Sequence, residues 1–191
     1  MQHQASSPYE ICGLVTYSGQ ERRIWPGTAT QTYWAIWDPS TGQFENNELY
    51  DDHEMFCAHL VMRTDGVLQT MGGRNTVRDS SVFDWRTNRW VRKGDMYHPR
   101  WYSTGVALPD GDVFTVSGSG GTNTAERYDH DSDQWDLLGG IDWQPVANAE
   151  GFESRWWPYL LVAPDGRLFH WKLRNHLLSR WSCKVGFAEN V

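Results

Sequence analysis

Cysteine is scarce, with Cys12, Cys57 and Cys183 in 191 residues. An odd count gives no disulfide framework, and no two lie close enough for a Cys-x-x-Cys metal site. Long apolar runs are missing as well. None reaches the ~18 residues that a membrane helix needs, which excludes such a span. The first residues, Met1-Gln2-His3-Gln4-Ala5-Ser6-Ser7, have no basic start and no apolar stretch, so no signal peptide is expected. Basic charge is in deficit: 17 Lys and Arg stand against 24 Asp and Glu, a net charge of −7. That argues against nucleic acid or an anionic membrane as partner, since both need a basic surface. There is no Gly-x-Ser-x-Gly elbow and no phosphate-binding glycine loop. What is present in excess is aromatic: 14% of the chain, including 12 Trp. Such content excludes low-complexity disorder. With 18 Gly and 8 Pro, it predicts many short strands, tight turns and large rings between layers.

The strands repeat. Asp-Gly turns follow apolar stretches at Asp65-Gly66, Asp110-Gly111 and Asp165-Gly166. Such pairs predict hairpins, and a type I′ turn would place both residues at positive φ. A second mark is an aromatic followed by Asp: Trp37-Asp38, Phe83-Asp84 and Tyr128-Asp129. A ring stands six residues after each Asp, at Phe44, Trp90 and Trp135. Asp65 to Asp84 and Asp110 to Asp129 both span 19 residues; Asp38 to Asp84 is 46 and Asp84 to Asp129 is 45. A period of ~40–50 residues built of hairpins marks a β-propeller blade.

The fold expected is therefore all-β, a kelch-type propeller of about three to four blades. After a lead-in at 1–10, the blades fall at about 11–47, 56–93, 100–140 and 157–171, each of four short strands. Residues 172–191 break the pattern. Lys172, Arg174, Arg180 and Lys184 make this stretch an atypical basic tail. It reads as a basic amphipathic helix that binds a partner or, by preference, as a frame-shifted or truncated end, and it is set aside from the fold. Ser117-Gly118-Ser119-Gly120-Gly121 reads as a blade loop, and Asp129-His130-Asp131-Ser132-Asp133 as a solvated turn lacking the Gly and distal Glu of a calcium loop.

Two segments carry chemistry, His53-Glu54-Met55-Phe56-Cys57 and Pro99-Arg100-Trp101-Tyr102-Ser103. Taken singly, the Cys is a small buried hydrophobe and the Tyr a core ring. Together, and with Trp37-Asp38-Pro39-Ser40-Thr41-Gly42 before them, they resemble the galactose oxidase and glyoxal oxidase family of copper radical oxidases over roughly residues 11–171. That resemblance implies a seven-bladed kelch propeller holding one copper ion, of which this chain would supply the N-terminal part. It implies that Cys57 is joined through sulfur to Tyr102, and that Tyr102 binds copper and carries a radical. Phe56 and Arg155 would face the substrate. It further implies oxidation of a primary alcohol, aldehyde or carbohydrate by O2 to give H2O2, in an extracellular setting.

The match is incomplete. The family's remaining ligands, a Tyr-His pair and a further His, lie in later blades or domains, and one tyrosine cannot hold copper alone. The chain as given is accordingly expected to be truncated and inactive, with missing blades needed to close the fold. No Trp follows Ser117-Gly118 to stack on the pair, and Phe152-Glu153 stands where galactose oxidase has a sugar-contacting Tyr-Arg. His53 reads as a turn residue or the support of a ligand; His59 and His98 read as surface residues. A non-catalytic kelch module that binds carbohydrate or protein, and a degraded gene product, are the other readings.

Overall fold

A computed structural model describes residues 15–17, 32–46, 50–74, 77–120, 123–139, 156–174 and 177–183. These residues form fourteen strands, and no helix occurs among them. Each of the four sheets is an antiparallel meander in chain order. The first holds β1 (Val15–Tyr17), β2 (Tyr33–Asp38) and β3 (Gln43–Asn46). The second holds β4 (His59–Met62), β5 (Leu68–Met71), β6 (Ser80–Asp84) and β7 (Arg89–Lys93). The third holds β8 (Thr104–Ala107), β9 (Val113–Val116), β10 (Ala125–Asp129) and β11 (Gln134–Leu138). The fourth holds β12 (Tyr159–Val162), β13 (Leu168–Arg174) and β14 (Leu177–Cys183). β8 packs beside both β4 and β12, so the leading strands of successive sheets lie side by side as in a propeller arc.

The repeat marks have a direct physical meaning. Each aromatic-Asp pair ends a strand, and the ring six residues on is its cross-strand partner: Trp37↔Phe44, Phe83↔Trp90 and Tyr128↔Trp135. The second and third ring pairs sit 5.4 and 5.2 Å apart, close enough for direct ring contact. Between partners the chain turns in four residues. The last of them is left-handed, and Gly42, Asn88 and Asp133 fill that place with residue types that tolerate it.

The Asp-Gly hairpins differ from expectation. Only the glycines have positive φ, 79° at Gly66, 98° at Gly111 and 78° at Gly166. The amides of these glycines donate to Arg63, Leu108 and Ala163, and those three residues donate back to Val67, Asp112 and Arg167. The loops therefore have three residues, a type I turn closed by a left-handed glycine, rather than two. The residue before Asp is the reason: Thr64, Pro109 or Pro164 belongs to the loop, and Pro suits the second position of a type I turn. Each Asp carboxylate then accepts the amide two residues on, at 3.1, 3.1 and 3.2 Å.

The core lies between sheets. Trp34, Met55, Leu68, Phe83 and Trp90 pack together around the first two sheets. Val61, Met71, Met96, Val113, Tyr128 and Trp135 join the second to the third. Leu108, Phe114, Val116, Ala125, Leu160 and Leu168 join the third to the fourth. Buried side chains of this size each contribute ~1.5–3 kcal/mol. Residues 172–183, set apart by their basic composition, continue β13 and form β14, which pairs with β13 from Arg174↔Leu177 to Leu168↔Cys183. The lead-in at 1–10 and residues 184–191 lie outside the described residues.

Candidate functional site

The site begins as a backbone feature. Cys57, Tyr102 and Trp157 stand two residues before β4, β8 and β12, and all three have positive φ, at 59°, 63° and 45°. Left-handed backbone costs a non-glycine residue on the order of 1 kcal/mol, so something must hold it. Part of the hold is mutual. The Tyr102 amide donates to the Cys57 carbonyl at 3.3 Å, and the Trp157 amide donates to the Tyr102 carbonyl at 2.9 Å. Equivalent corners of three successive sheets are thus linked, and their side chains gather at one end of the arc.

There the Tyr102 hydroxyl and the half-buried Cys57 sulfur are neighbours, close enough to act on one another electrostatically. Burial raises the phenol above its ordinary pKa, and the contact with Cys57 pushes the same way. The ring is flanked by indoles. Trp101 stacks on it at 4.4 Å with the planes 17° apart; Trp157 lies at 4.3 Å and Trp156 at 5.7 Å, both tilted. No Trp follows Ser117-Gly118, which left the stacking ring missing or supplied from elsewhere; these indoles supply it. The signal was available: Trp157 keeps the two-residue offset from its strand that Cys57 and Tyr102 share. Phe56, 45% exposed beside Cys57, opens toward solvent, its amide bonded to the Glu54 carboxylate at 3.1 Å. Arg155 lies outside the described residues, as do Phe152 and Glu153.

The histidines sort differently from expectation. His53 is 1% exposed and bridges two segments. Its Nε2 donates to the Gly72 carbonyl at 2.6 Å, so Nδ1 accepts from the Ser81 hydroxyl at 3.0 Å. Burial lowers its pKa to about 4, which keeps the ring neutral at pH 7. His59 is no surface residue either: burial lowers it, and it bonds the Gly105 backbone. Burial is the cause of both. Asp112, Asp129 and His130 come close enough to suggest a cation site. Asp112 is already engaged by Arg127 at 2.6 Å and by His130 at 2.7 Å, so the group reads as a satisfied ion network.

No family model matches the chain. Two galactose oxidase sequences of Gibberella zeae, one from strain PH-1, are each 32% identical to it over 130 residues. Over that stretch the chain is galactose oxidase-like in sequence. The aligned part is 65% of the chain and 19% of each relative, so the chain matches about a fifth of their length. Among solved structures, a fungal alcohol oxidase of the AA5 family in complex with copper superposes with a TM-score of 0.63 at 22% identity, over 83% of this chain and 37% of that one. The galactose oxidase-like chain is thus a set of all-β propeller blades. Tested against copper, its described residues supply one phenol oxygen at the site with a sulfur beside it. That falls short of the nitrogen and oxygen set that copper prefers.

Proposed function

We propose that Cys57 and Tyr102 are the redox pair of a copper radical oxidase of the galactose oxidase and glyoxal oxidase kind, acting on a primary alcohol or aldehyde. The observation that carries this reading is the meeting of Cys57 and Tyr102 at left-handed corners of adjacent sheets, joined by the Tyr102 amide to the Cys57 carbonyl. Copper would supply one-electron chemistry beside the phenol. Tyr102 would be one ligand, and the other donors must come from outside the described residues. Phe56 and Arg155 would line the substrate side.

The chain's own part is to hold the sulfur against the ring. In the joining step the Cys57 S–H and a ring C–H ortho to the Tyr102 hydroxyl are lost and an S–C bond forms. Two protons and two electrons pass to O2, giving H2O2. A sulfur so placed eases oxidation of the phenol, because its lone pair delocalises the radical. In turnover the alcohol gives up the same two electrons and protons to O2, yielding aldehyde and H2O2. Trp101, Trp156 and Trp157 pack on the ring and limit its motion. An oxygen-dependent enzyme releasing peroxide suits an extracellular setting. The 191-residue chain alone is expected to bind copper weakly and not to turn over.

The test is intact mass and peptide mapping after exposure to copper and O2. The reading predicts a species lighter by two hydrogen atoms in which the Cys57 and Tyr102 peptides are joined, and its loss in Cys57→Ser. Two separate unmodified peptides under conditions that leave the chain folded would overturn it. A non-catalytic kelch module remains the second reading, and it predicts that unmodified result.

A further inference from the structure

We infer that Arg100, through its ion pair with Glu126, is the positioning residue that holds the Tyr102 phenol against the Cys57 sulfur. The inference deepens the oxidase reading and rests on it for its functional meaning. Arg100 and Glu126 are both fully buried, with Nη2 and Oε1 2.7 Å apart. A buried pair of this kind is poor evidence of stability, since apolar residues of similar volume often serve as well. Its value here lies in where its bonds go.

Those described reach the segment that carries Tyr102 and the loop that packs against it. Glu126 accepts the Tyr97 amide at 2.6 Å and the His98 amide at 3.1 Å, as well as the guanidinium. Arg100 donates to the Ser117 carbonyl at 2.6 Å and to the Thr124 carbonyl and hydroxyl at 3.2 and 3.0 Å. Ser117 and Gly118 are left-handed, with φ 65° and 87°. Gly118 packs so closely that an added Cβ would lie 3.0 Å from the Trp101 carbonyl and 3.1 Å from the Ser103 amide. Trp101 and Ser119 exchange backbone bonds at 3.3 and 2.7 Å. Arg100 therefore ties the floor to the loop on both sides of Tyr102.

The same residue reaches the cysteine side. Its carbonyl accepts the Gly73 amide at 2.8 Å, and Gly73 packs directly on the Glu54 carbonyl, three residues before Cys57. Tyr102 itself sits in strained backbone that would relax if released. Release would swing the ring from the sulfur without unfolding any sheet.

The test is the rate at which iodoacetamide alkylates Cys57 in the folded, copper-free chain, followed by peptide mapping to separate it from Cys12 and Cys183. Tyr102→Ala sets the rate for an unshielded thiol, and wild type should be several-fold slower. Arg100→Met/Glu126→Met removes both charges together, avoiding an unpaired buried carboxylate, and is expected to move the rate most of the way to that limit. Arg100→Lys keeps the charge, and with it the fold, but loses the fork; it should fall between. Leu108→Ala, comparably destabilised in another part of the core, should stay at the wild-type rate. Folded Arg100 variants that alkylate like wild type would overturn the inference, as would a wild-type rate equal to that of Tyr102→Ala. Failure to form the thioether in wild type would instead remove the oxidase reading and leave this result standing.

Discussion

Gly72 and Gly73 show how much a single hydrogen can decide. They sit between the two segments that bring Cys57 and Tyr102 together, with φ of 71° and 142°. A Cβ on Gly72 would collide with the Arg100 carbonyl oxygen, and one on Gly73 with that of Glu54. Both obstacles are backbone, which cannot step aside as a side-chain tip can. Gly72→Ala and Gly73→Ala should each cost ~2–4 kcal/mol by urea denaturation, the range of a steric clash added to left-handed strain. Gly42→Ala is the control. It shares positive φ, at 68°, but nothing lies near its Cβ position, so only about 1 kcal/mol should be lost. Equal losses at all three positions would contradict the account. At this scale the sequence was partly legible. The Gly72-Gly73 pair is plain in the sequence, but which backbone approaches it is a matter of tertiary packing that no local pattern carries.

Among the elements, the four-residue turns test the reading of the repeat. Asn88 and Asp133 occupy equivalent left-handed corners, with φ of 52° and 58°. They differ in what their side chains do. Asp133 accepts the Gly94 amide at 3.0 Å and the Tyr128 hydroxyl at 2.7 Å, joining the second and third sheets. Those bonds hold its carboxyl below its usual range, although burial opposes them. Asn88→Gly should therefore raise stability by up to ~1 kcal/mol, while Asp133→Gly should lower it by ~1–3 kcal/mol despite the same backbone relief. Thermal melts of the two variants check the opposite signs. The strands, their pairing and the aromatic-Asp rhythm were legible because a period of two and a fixed turn length leave a trace in sequence. The hairpin type was not, since a two-residue and a three-residue Asp-Gly loop differ in whether one preceding residue stays in the strand. The fourth sheet's last strand was hidden because the basic residues around it, Lys172, Arg174, Arg180 and Lys184, broke the pattern of the repeat.

For the molecule as a whole, buried His53 couples stability to pH. An unfolded His53 takes its proton near pH 6.5, whereas the folded ring resists until about 4. Its contribution is complete above 6.5 and is lost as pH falls from 6.5 toward 4, by a few kcal/mol at most, since each unit is worth about 1.4 kcal/mol. His59 acts in the same sense, and Glu54, whose carboxyl burial raises, acts against them. Urea midpoints at pH 7 and 4.5 isolate the effect: His53→Gln should narrow the drop between them, and an unchanged drop would contradict the assignment. The candidate pair was legible only as two motifs in successive blades, because a hydrogen bond between sheets depends on how they fan. Trp101 adjoins Tyr102 in sequence and Trp157 shares its offset from a strand, but that the Trp157 ring meets Tyr102 depends on how the third and fourth sheets pack. One measurement bears on all of this most directly, a crystal structure of the chain refined without restraint between sulfur and ring. The account predicts Cys57 Sγ in contact with the Tyr102 phenol, or bonded to its ring after treatment with copper and O2. Side chains pointing apart, with Tyr102 in ordinary β backbone, would contradict it.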